Sequence, residues 1–552
     1  MTSNPENMTT KGSSVPDSRP PSFRASSVGT PSPRVRPFRI GGAALLAIVA
    51  ATGSAAAQAP ATPGTANVAA PAVTDTGATP PAAPAPEAAP NLTELQNRID
   101  AAEQASRIAV RRVELLEEQL AATAQAAKQQ KDVPTFTTAG ERGFNFRSGD
   151  GLYLLRVKGQ LQIDTRWFLN DGALSDKADT FLIRRMRPSI DGTVFGLVDY
   201  KFTPDFAGAS LAVFDAYADI HPFQWLRLRA GKFKSPLGLE RLQNDPDLVF
   251  MERALTQDLT PQRDVGAALG GEVGNGILTY SLGVYNGAPD SANPDVDTNH
   301  AKDFVGRVLL QPFKAEALSG LGSLGLHFAA STGNRFGTPT NTLLPAYKSG
   351  GQNTFFNYIS GTTDPAGTPF AHLRQTRINP GLYYYFGGFG VLGEYVWDKQ
   401  EVQKGNVTTN LVNWAAHGTA SFVIGGKNGY DGATPNQVLD FTKGTWGALE
   451  IGVRWNYLKV DGATFGSTTD TTALVFADNT KSPAKVQAFG GAINYVPSRT
   501  FRLCVNFEQS RFTGGSSVKT TTTDATGAKV TTATVTNRHT ENALLGRVQV
   551  NF

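Results

Sequence analysis

The sequence predicts an all-β fold: a transmembrane antiparallel β-barrel of about sixteen strands, preceded by an N-terminal α-helical coiled coil. Three observations carry this. Polar and apolar residues alternate with period 2 from about residue 151 to Phe552. The apolar parity is rich in aromatics, whereas the polar parity carries arginines and glutamates in mid-strand. The connections alternate between tight turns, such as "FGGFG", and long segments rich in Gly, Thr, Asn and Ser, such as 332–371 and 513–537. A wall with lipid on one side and water on the other needs all three.

Composition narrows the classes. The chain has 552 residues, with Lys+Arg 51 against Asp+Glu 47, and a formal net charge of +4 is too small a bias for nucleic-acid binding. The single cysteine, Cys504, rules out an intrachain disulfide and a cysteine zinc cluster. No run of 18 apolar residues occurs, so there is no ordinary transmembrane helix. A barrel needs none, because its strands cross with about ten alternating residues each.

Residues 1–59 read as a signal peptide with an extended n-region. Arg34, Arg36 and Arg39 precede a short apolar run, Ile40–Ala51, and Ala57-Gln58-Ala59 has the form of a cleavage site. Met8 offers an alternative start. Residues 60–90 are Ala/Pro/Thr-rich, have too few apolar side chains for a core, and read as an extended linker.

Residues 91–131 change period. Leu92, Ile99, Ser106, Val113, Leu120 and Ala127 fall seven apart, with Leu95, Ala102, Ala109, Leu116 and Thr123 as companions. That is an a/d seam, flanked by Glu94, Arg98, Arg112 and Glu117. It predicts a homo-oligomeric coiled coil, weak by itself because the seam includes Ala and Ser. A lone amphipathic helix docked elsewhere is the alternative. The helical pattern stops at Pro134, and the barrel is placed at 140–552.

Within the barrel the last strand is the clearest. In "ENALLGRVQVNF", Leu544, Val548, Val550 and Phe552 share one parity and Arg547, Gln549 and Asn551 the other. In "GALEIGVRWNYLKV", Ile451, Val453, Trp455 and Tyr457 oppose Glu450, Arg454 and Asn456. Closing such strands into a barrel pairs every backbone group and leaves no edge in lipid. The terminal Phe552 is an end common among bacterial outer-membrane barrels. A soluble sandwich also alternates, but it does not explain an aromatic outer face.

The stretch "FLIRRMRPSIDGTVFG" (181–196) poses the sharpest problem. An arginine facing lipid at mid-membrane is costly. Strict alternation puts Arg185 and Arg187 in the lumen and Arg184 on the lipid side, unless a bulge shifts it or it meets a neighbouring subunit. In "WLRLRAGKFKSPLG", Arg227 and Arg229 face in. Arg307, Arg454, Arg502 and Arg547 also lie on polar parities, with Asp215, Asp219, Glu450 and Glu508 as partial counter-charges. Arginines lining a pore favour anions. Equally, each of these arginines can pair with a carboxylate and simply stiffen the wall.

The motifs "FLIRRMRPSIDGTVFGLVDYKFTPDF", "VFDAYADIHPFQWLRLRAGKFKSPLGLE", "MERALTQDLTP" and "VGAALGG" make 179–287 resemble the phosphate-selective porin O/P family, and the likeness extends by pattern over 150–552. The resemblance implies a homotrimer of sixteen-stranded barrels in the bacterial outer membrane, embedded in lipid and lipopolysaccharide, whose narrow lumen passes small anions such as phosphate or polyphosphate. It maps the "RR" pair, on the periplasmic side, to Arg184 and Arg185, the charge-tempering aspartate to Asp215, the basic residue after "GLE" to Arg241, and the constriction to Arg253. Residues 235–262 would be a loop folded into the pore. Two departures weaken strict phosphate selectivity. Gln160 stands where relatives have a basic residue, and 332–372 offers only Arg335, Lys348 and His372 as collecting charges.

Other classes find less support. An enzyme needs a nucleophile beside a base, but the six histidines are scattered and no G-x-S-x-G occurs. No cofactor or metal is implied. "NPDVDTNHAKD" (293–303) lacks the Gly and final Glu of a calcium loop, and reads as a solvated loop. "NLT" at Asn91 is a glycosylation sequon in form only. A general porin for small hydrophilic solutes, or an envelope tether whose coiled coil spans the periplasm, remain as alternatives.

Overall fold

The computed structural model describes residues 92–131, 135–140, 143–169, 178–208, 210–297, 299–314, 320–361, 367–466 and 474–552. The expected signal segment and linker, 1–90, lie outside the described residues.

Helix α1 spans Leu92–Lys131 and stops short of Pro134. Leu92, Ile99, Val113, Leu116 and Leu120 of the expected seam are all exposed, as are Ile108, Val110 and Leu115 outside it. No described helix is long and apolar enough to cross a membrane.

The barrel has sixteen strands. They are β1 (Leu154–Leu169), β2 (Thr180–Val194), β3 (Val198–Asp205), β4 (Ala212–Phe223), β5 (Leu226–Phe233), β6 (Asp264–Val273), β7 (Leu278–Tyr285) and β8 (Asp303–Leu310). Then follow β9 (Gly325–Phe336), β10 (Phe370–Phe386), β11 (Phe389–Lys404), β12 (Val407–Ile424), β13 (Ala448–Lys459), β14 (Pro483–Ser498), β15 (Phe501–Thr523) and β16 (Glu541–Asn551). Each pairs antiparallel with its neighbours in sequence, and β16 closes on β1, with Gly546 opposite Thr165 and Asn551 opposite Gln160. Closure satisfies the backbone that two sheet edges would otherwise leave bare.

The two faces follow the alternation. On β15, Leu503, Val505 and Phe507 are exposed outward, while Arg502, Cys504, Asn506 and Glu508 are buried inward. The same holds on β13, where Ile451, Val453 and Trp455 face out and Glu450, Arg454 and Asn456 face in.

The ends differ. At one end most links are tight. Phe195 and Gly196 turn the chain between β2 and β3, both with positive φ, which only a short hairpin turn demands of a phenylalanine. At the other end lie the long segments, including 234–263, 286–302, 337–369 and 460–482. Short turns mark the periplasmic end of such barrels and long loops the outer end. Three links break the rule: 311–324 and 425–447, both at the turn end, are long, the second carrying a small pairing of Gly426–Lys427 with Thr434–Pro435, while Gly405–Asn406 turns tightly at the loop end.

Two expectations change. The sheet starts earlier than 140, because Thr135–Gly140 and Gly143–Arg147 form a hairpin whose second arm pairs with Leu154–Val157 of β1. The segment 513–537 is not an irregular loop. β15 runs on to Thr523, and Lys529–Asn537 pairs back along it from Thr523 to Gly515. Its run of Thr and Val favours extended backbone without an apolar face to advertise it. Asp524 closes the turn by accepting from the Thr526 and Ala528 amides.

Candidate functional site

The segment between β5 and β6, residues 234–263, folds into the lumen instead of outward. It contains a helical turn at Leu239–Leu242 and 3-10 turns at Asp245–Asp247 and Leu255–Leu259. Gly238 starts the first of them at φ 87, where a Cβ would lie 2.7 Å from that of Arg241.

The barrel wall holds this loop by its backbone. Arg502 donates from Nη1 to the Leu248 carbonyl at 2.9 Å, Asn494 to Val249 at 2.8 Å, Arg547 to Met251 at 2.8 Å and Arg454 to Glu252 at 2.7 Å. Asn506 Oδ1 accepts from the Met251 amide at 2.6 Å. Glu394 ties the two ends of the loop together: it accepts from the Leu239 amide near the start, from Thr256 Oγ1 and Gln257 Nε2 near the end, and from Asn379 Nδ2 of β10. Glu240, Glu394 and His417 are close enough to share a cation. However, each Glu394 oxygen already accepts two of these bonds, so the group works as a loop anchor. All these partners lie on β10–β16, so the loop leans on that half of the wall.

Two carboxylates of the loop gather the arginines of the first strands. β2 carries a bulge: Gln162 of β1 is opposite Arg185 and Ile163 is opposite Ile183, leaving Arg184 as the extra residue. The bulge turns Arg184 into the lumen, where its Nε and Nη2 donate to Glu252 at 2.6 and 2.9 Å. Ile183, on the lumenal parity of a regular strand, is exposed on the outer face instead. Arg547 and Arg166 reach the same carboxylate at 3.5 and 3.4 Å. The second hub is Asp245. Arg187 and Arg253 bond to it, and Arg185 Nε lies 3.3 Å away. Arg187 also pairs with Asp205 at 2.6 Å, and its guanidinium lies 3.8 Å from the Phe214 ring centroid.

Burial opposes the ionisation of Asp245, but Arg185, Arg253 and Arg187 outweigh it and hold the carboxyl well below its usual range. Burial opposes Glu252 likewise, and Arg184, Arg185 and Arg547 pull it down.

The remaining expected residues are placed as follows. Arg227 lies 3.0 Å from Asp199, and Arg229 lies 2.7 Å from Asp219. Asp215 takes Lys201 at 3.3 Å and Arg263 at 3.4 Å. Arg241 is buried within the folded loop and donates to the Gln257 carbonyl at 2.7 Å; burial lowers its pKa to about 9. The "RR" pair sits four to five residues from the loop end of β2, not on the periplasmic side as the resemblance implied. Arg335, expected in the collecting mouth, is buried against Asp303 at 2.6 Å, and Lys348 is exposed. Asp295 and Asp297 of the calcium-like loop pair with Lys232 and Lys302. The sequence reading did not single out Asp245, Glu252, Lys234 or Arg263, because a loop has no parity to read.

Below the loop, toward the turn end, opens a cavity of about 870 Å³. Lys158, Arg187, Lys201, Arg229, Lys234 and Arg263 line it from wall and loop, and Lys427 and Arg499 from the turn end. Its carboxylates are Asp191, Asp215, Asp245, Asp247 and Asp431. Eight basic side chains face five carboxylates among the described residues; burial, Arg253 and Arg263 lower the Lys234 pKa well below its usual value, and the other seven still outnumber the acids. Gln160 also lines it, at the position where a basic residue was missed.

The family described as phosphate-selective porin O and P matches this sequence over residues 155–552. The chain belongs to that family. It is an outer-membrane porin, a class of channel proteins. Among solved structures, an anion-selective porin from Comamonas acidovorans aligns with 72% of this porin and 100% of its own chain, at 12% identity and TM-score 0.44. The outer-membrane channel DcaP of Acinetobacter baumannii covers 74% and 99%, at 11% identity and TM-score 0.43. OmpT of Vibrio cholerae covers 76% and 100%, at 10% identity and TM-score 0.41. No curated protein matches the sequence significantly.

Proposed function

We propose that this porin is a passive, homotrimeric diffusion channel that prefers small anions, phosphate or polyphosphate among them. The observation that carries this reading is the cavity beneath the inward loop, with eight basic side chains against five carboxylates. A narrow water-filled passage with surplus positive charge stabilises anions where bulk water is scarce and repels cations. Arg187 and Arg229 act as lining charges, Arg185 and Arg253 reach the passage through Asp245, Arg184 acts through Glu252, and Arg227 sits on the same wall. Asp215 tempers the charge of Lys201 and Arg263. Arg241 serves by holding the loop's shape. Helix α1 would stand in the periplasm, since the chain joins β1 at the turn end.

A second reading, a general porin without a phosphate site, has an observation of its own. Arg184, Arg185, Arg187 and Arg253 are already paired with Glu252 and Asp245. Arginines so engaged set a transverse field more than they bind a permeant ion. Reversal potential across a salt gradient decides the anion preference, and current carried mainly by cations defeats it. Phosphate block of chloride current then separates the readings. Block relieved by Arg253→Ala supports a site at the loop, and unchanged block removes Arg253 from it.

A further inference from the structure

The long link at the turn end, 425–447, sends its first part into the barrel. Gly426–Lys427 pairs with Thr434–Pro435, and the tip of this finger, 428–433, stands in the lumen. Its base is fixed to the wall. The Asn428 amide donates to the Gly387 carbonyl and Asn428 Nδ2 to Ser421 Oγ, both at 2.8 Å. Ala433 packs with Val423, Ala448 and Val496 on the lumenal face. The tip then meets the underside of the inward loop at three points. Tyr430 Oη donates to the Leu239 carbonyl at 2.7 Å, and Gln243 Nε2 donates to the Tyr430 carbonyl at 2.7 Å. Gly432 has φ 86, and a Cβ there would lie 3.1 Å from Cα and Cβ of Asp247, so a glycine is what lets the tip come this close.

These contacts meet a need of the loop. A helical turn of four residues leaves carbonyls that it cannot pair itself, and Leu239 begins such a turn. Tyr430 supplies the missing donor. The bond from Gln243 runs the other way, so tip and loop hold each other. The Tyr430 ring also stacks on Tyr383 of β10, with centroids 4.8 Å apart, and packs against the cluster that includes Leu239. Gln243 and Asp247 flank Asp245, on which three arginines converge. Tip and loop also line the same cavity, Asn428–Gly432 from below and Asn244–Asp247 from above. Moving the tip therefore moves the Asp245 hub and the wall of the passage together.

We propose that this finger is a brace that sets the height of the inward loop, and that Tyr430 is the positioning residue through which it does so. Pore size and charge preference are then fixed from the turn end as well as by the loop's own anchors on the wall. Two hydrogen bonds and a ring stack on one side chain make Tyr430 the point where the coupling is concentrated. The effect on ion preference rests on the anion reading above; the effect on pore size does not.

The test uses the full chain in planar bilayers, with heat-modifiable migration on gels to report that each variant is folded. Tyr430→Ala removes the stack and the Leu239 bond. It is expected to raise single-channel conductance and to lower the anion-to-cation permeability ratio by about twofold, the effect of one unit charge at roughly 10 Å in water. Tyr430→Phe keeps the stack and should shift both in the same direction by less; it carries the test if Tyr430→Ala does not fold. Gly432→Cys with Asp247→Cys ties tip to loop by a disulfide, since the two Cβ atoms would lie side by side. In that background oxidation should leave conductance unchanged while Tyr430 is present, and should restore conductance and ratio when it is alanine or phenylalanine. A tyrosine that merely stabilised the fold would give no such rescue. Conductance and ratio unchanged by loss of Tyr430, or changes that the disulfide does not reverse, overturn the brace. Current lost on oxidation with Tyr430 in place overturns it too, because the finger would then have to leave the loop for ions to pass. A wild type that is not anion-selective defeats the anion reading instead, and conductance alone then decides the brace.

Discussion

Asp245 does at the scale of one residue what the whole lumen does on average. It is buried, and three arginines converge on it. Its folded pKa is depressed, so its contribution to stability is complete above the unfolded carboxylate pKa of about 3.9 and fades as pH falls through the lower folded value. The hub therefore holds throughout the neutral range and fails only in strong acid. Asp245→Asn keeps the shape and removes the charge. We expect it to raise the anion-to-cation permeability ratio several-fold, because Arg185 and Arg253 lose the one ion-pair partner they have among the described residues. It should also lower barrel stability, since a buried pair broken on one side costs roughly 3–5 kcal/mol. Reversal potentials and urea unfolding in detergent measure the two effects. A ratio that falls would show that the arginines need Asp245 to stay in place. The case of Arg184 shows where reading by parity ends. Residues 185, 187, 227 and 229 face the lumen as alternation requires, but a bulge is a one-residue fault that alternation cannot announce. Arg184 itself carried the signal, since lipid would not tolerate it.

At the scale of elements, the inward loop is held at its middle and at its two ends by different chemistry. Wall arginines bind carbonyls of its middle, from Leu248 to Glu252, and Glu394 binds donors on either side of them, the Leu239 amide and Thr256 Oγ1. Asp258 lies on the last turn of that loop and accepts from the Lys348 amide at 3.1 Å, so it ties the loop to the segment between β9 and β10. Burial pushes its pKa up to about 7, against the pull of that amide and of Arg241. A raised folded pKa has the opposite sign to Asp245: the stabilisation is complete below about pH 4 and is lost as pH rises through about 7, by at most about 1.4 kcal/mol per pH unit. Loop packing should thus loosen between pH 6 and 8, seen as noisier single-channel current at the higher pH. Asp258→Asn, which keeps the acceptor without the titration, should abolish that difference. The same noise in the variant would place the cause elsewhere. In contrast, the hairpin beyond Gly515 has Thr and Val on both faces and little buried surface. Deleting 517–535 should leave conductance and stability within error of wild type. The strands that alternate were legible because period 2 coincides with lipid and water. The loop's hubs were not, because Asp245 and Glu252 take their roles from distant strands rather than from spacing.

At the scale of the whole molecule, one chain leaves an apolar surface unexplained. Leu92, Ile99, Val113, Leu116 and Leu120 of the α1 seam are exposed. Isolated helices gain little from propensity, and a lone amphipathic helix in water hides none of this surface. Ile108 and Leu115 fall off the a/d positions, so the seam alone is a poor guide to which face is covered. The trimer reading makes a sharp demand here. In a parallel coiled coil of copies, Val113 is an a position that meets Val113 of the neighbouring copies, while Glu118 points away from the axis. Val113→Cys in the full porin should therefore give disulfide-linked dimers on mild oxidation, because three copies of one cysteine can pair only two at a time. Glu118→Cys should give few. Cys504 is buried in the barrel wall against Met251, and does not compete. Equal cross-linking at 113 and 118 would mean that α1 does not associate through this seam, and the trimer would then have to rest on the barrels alone.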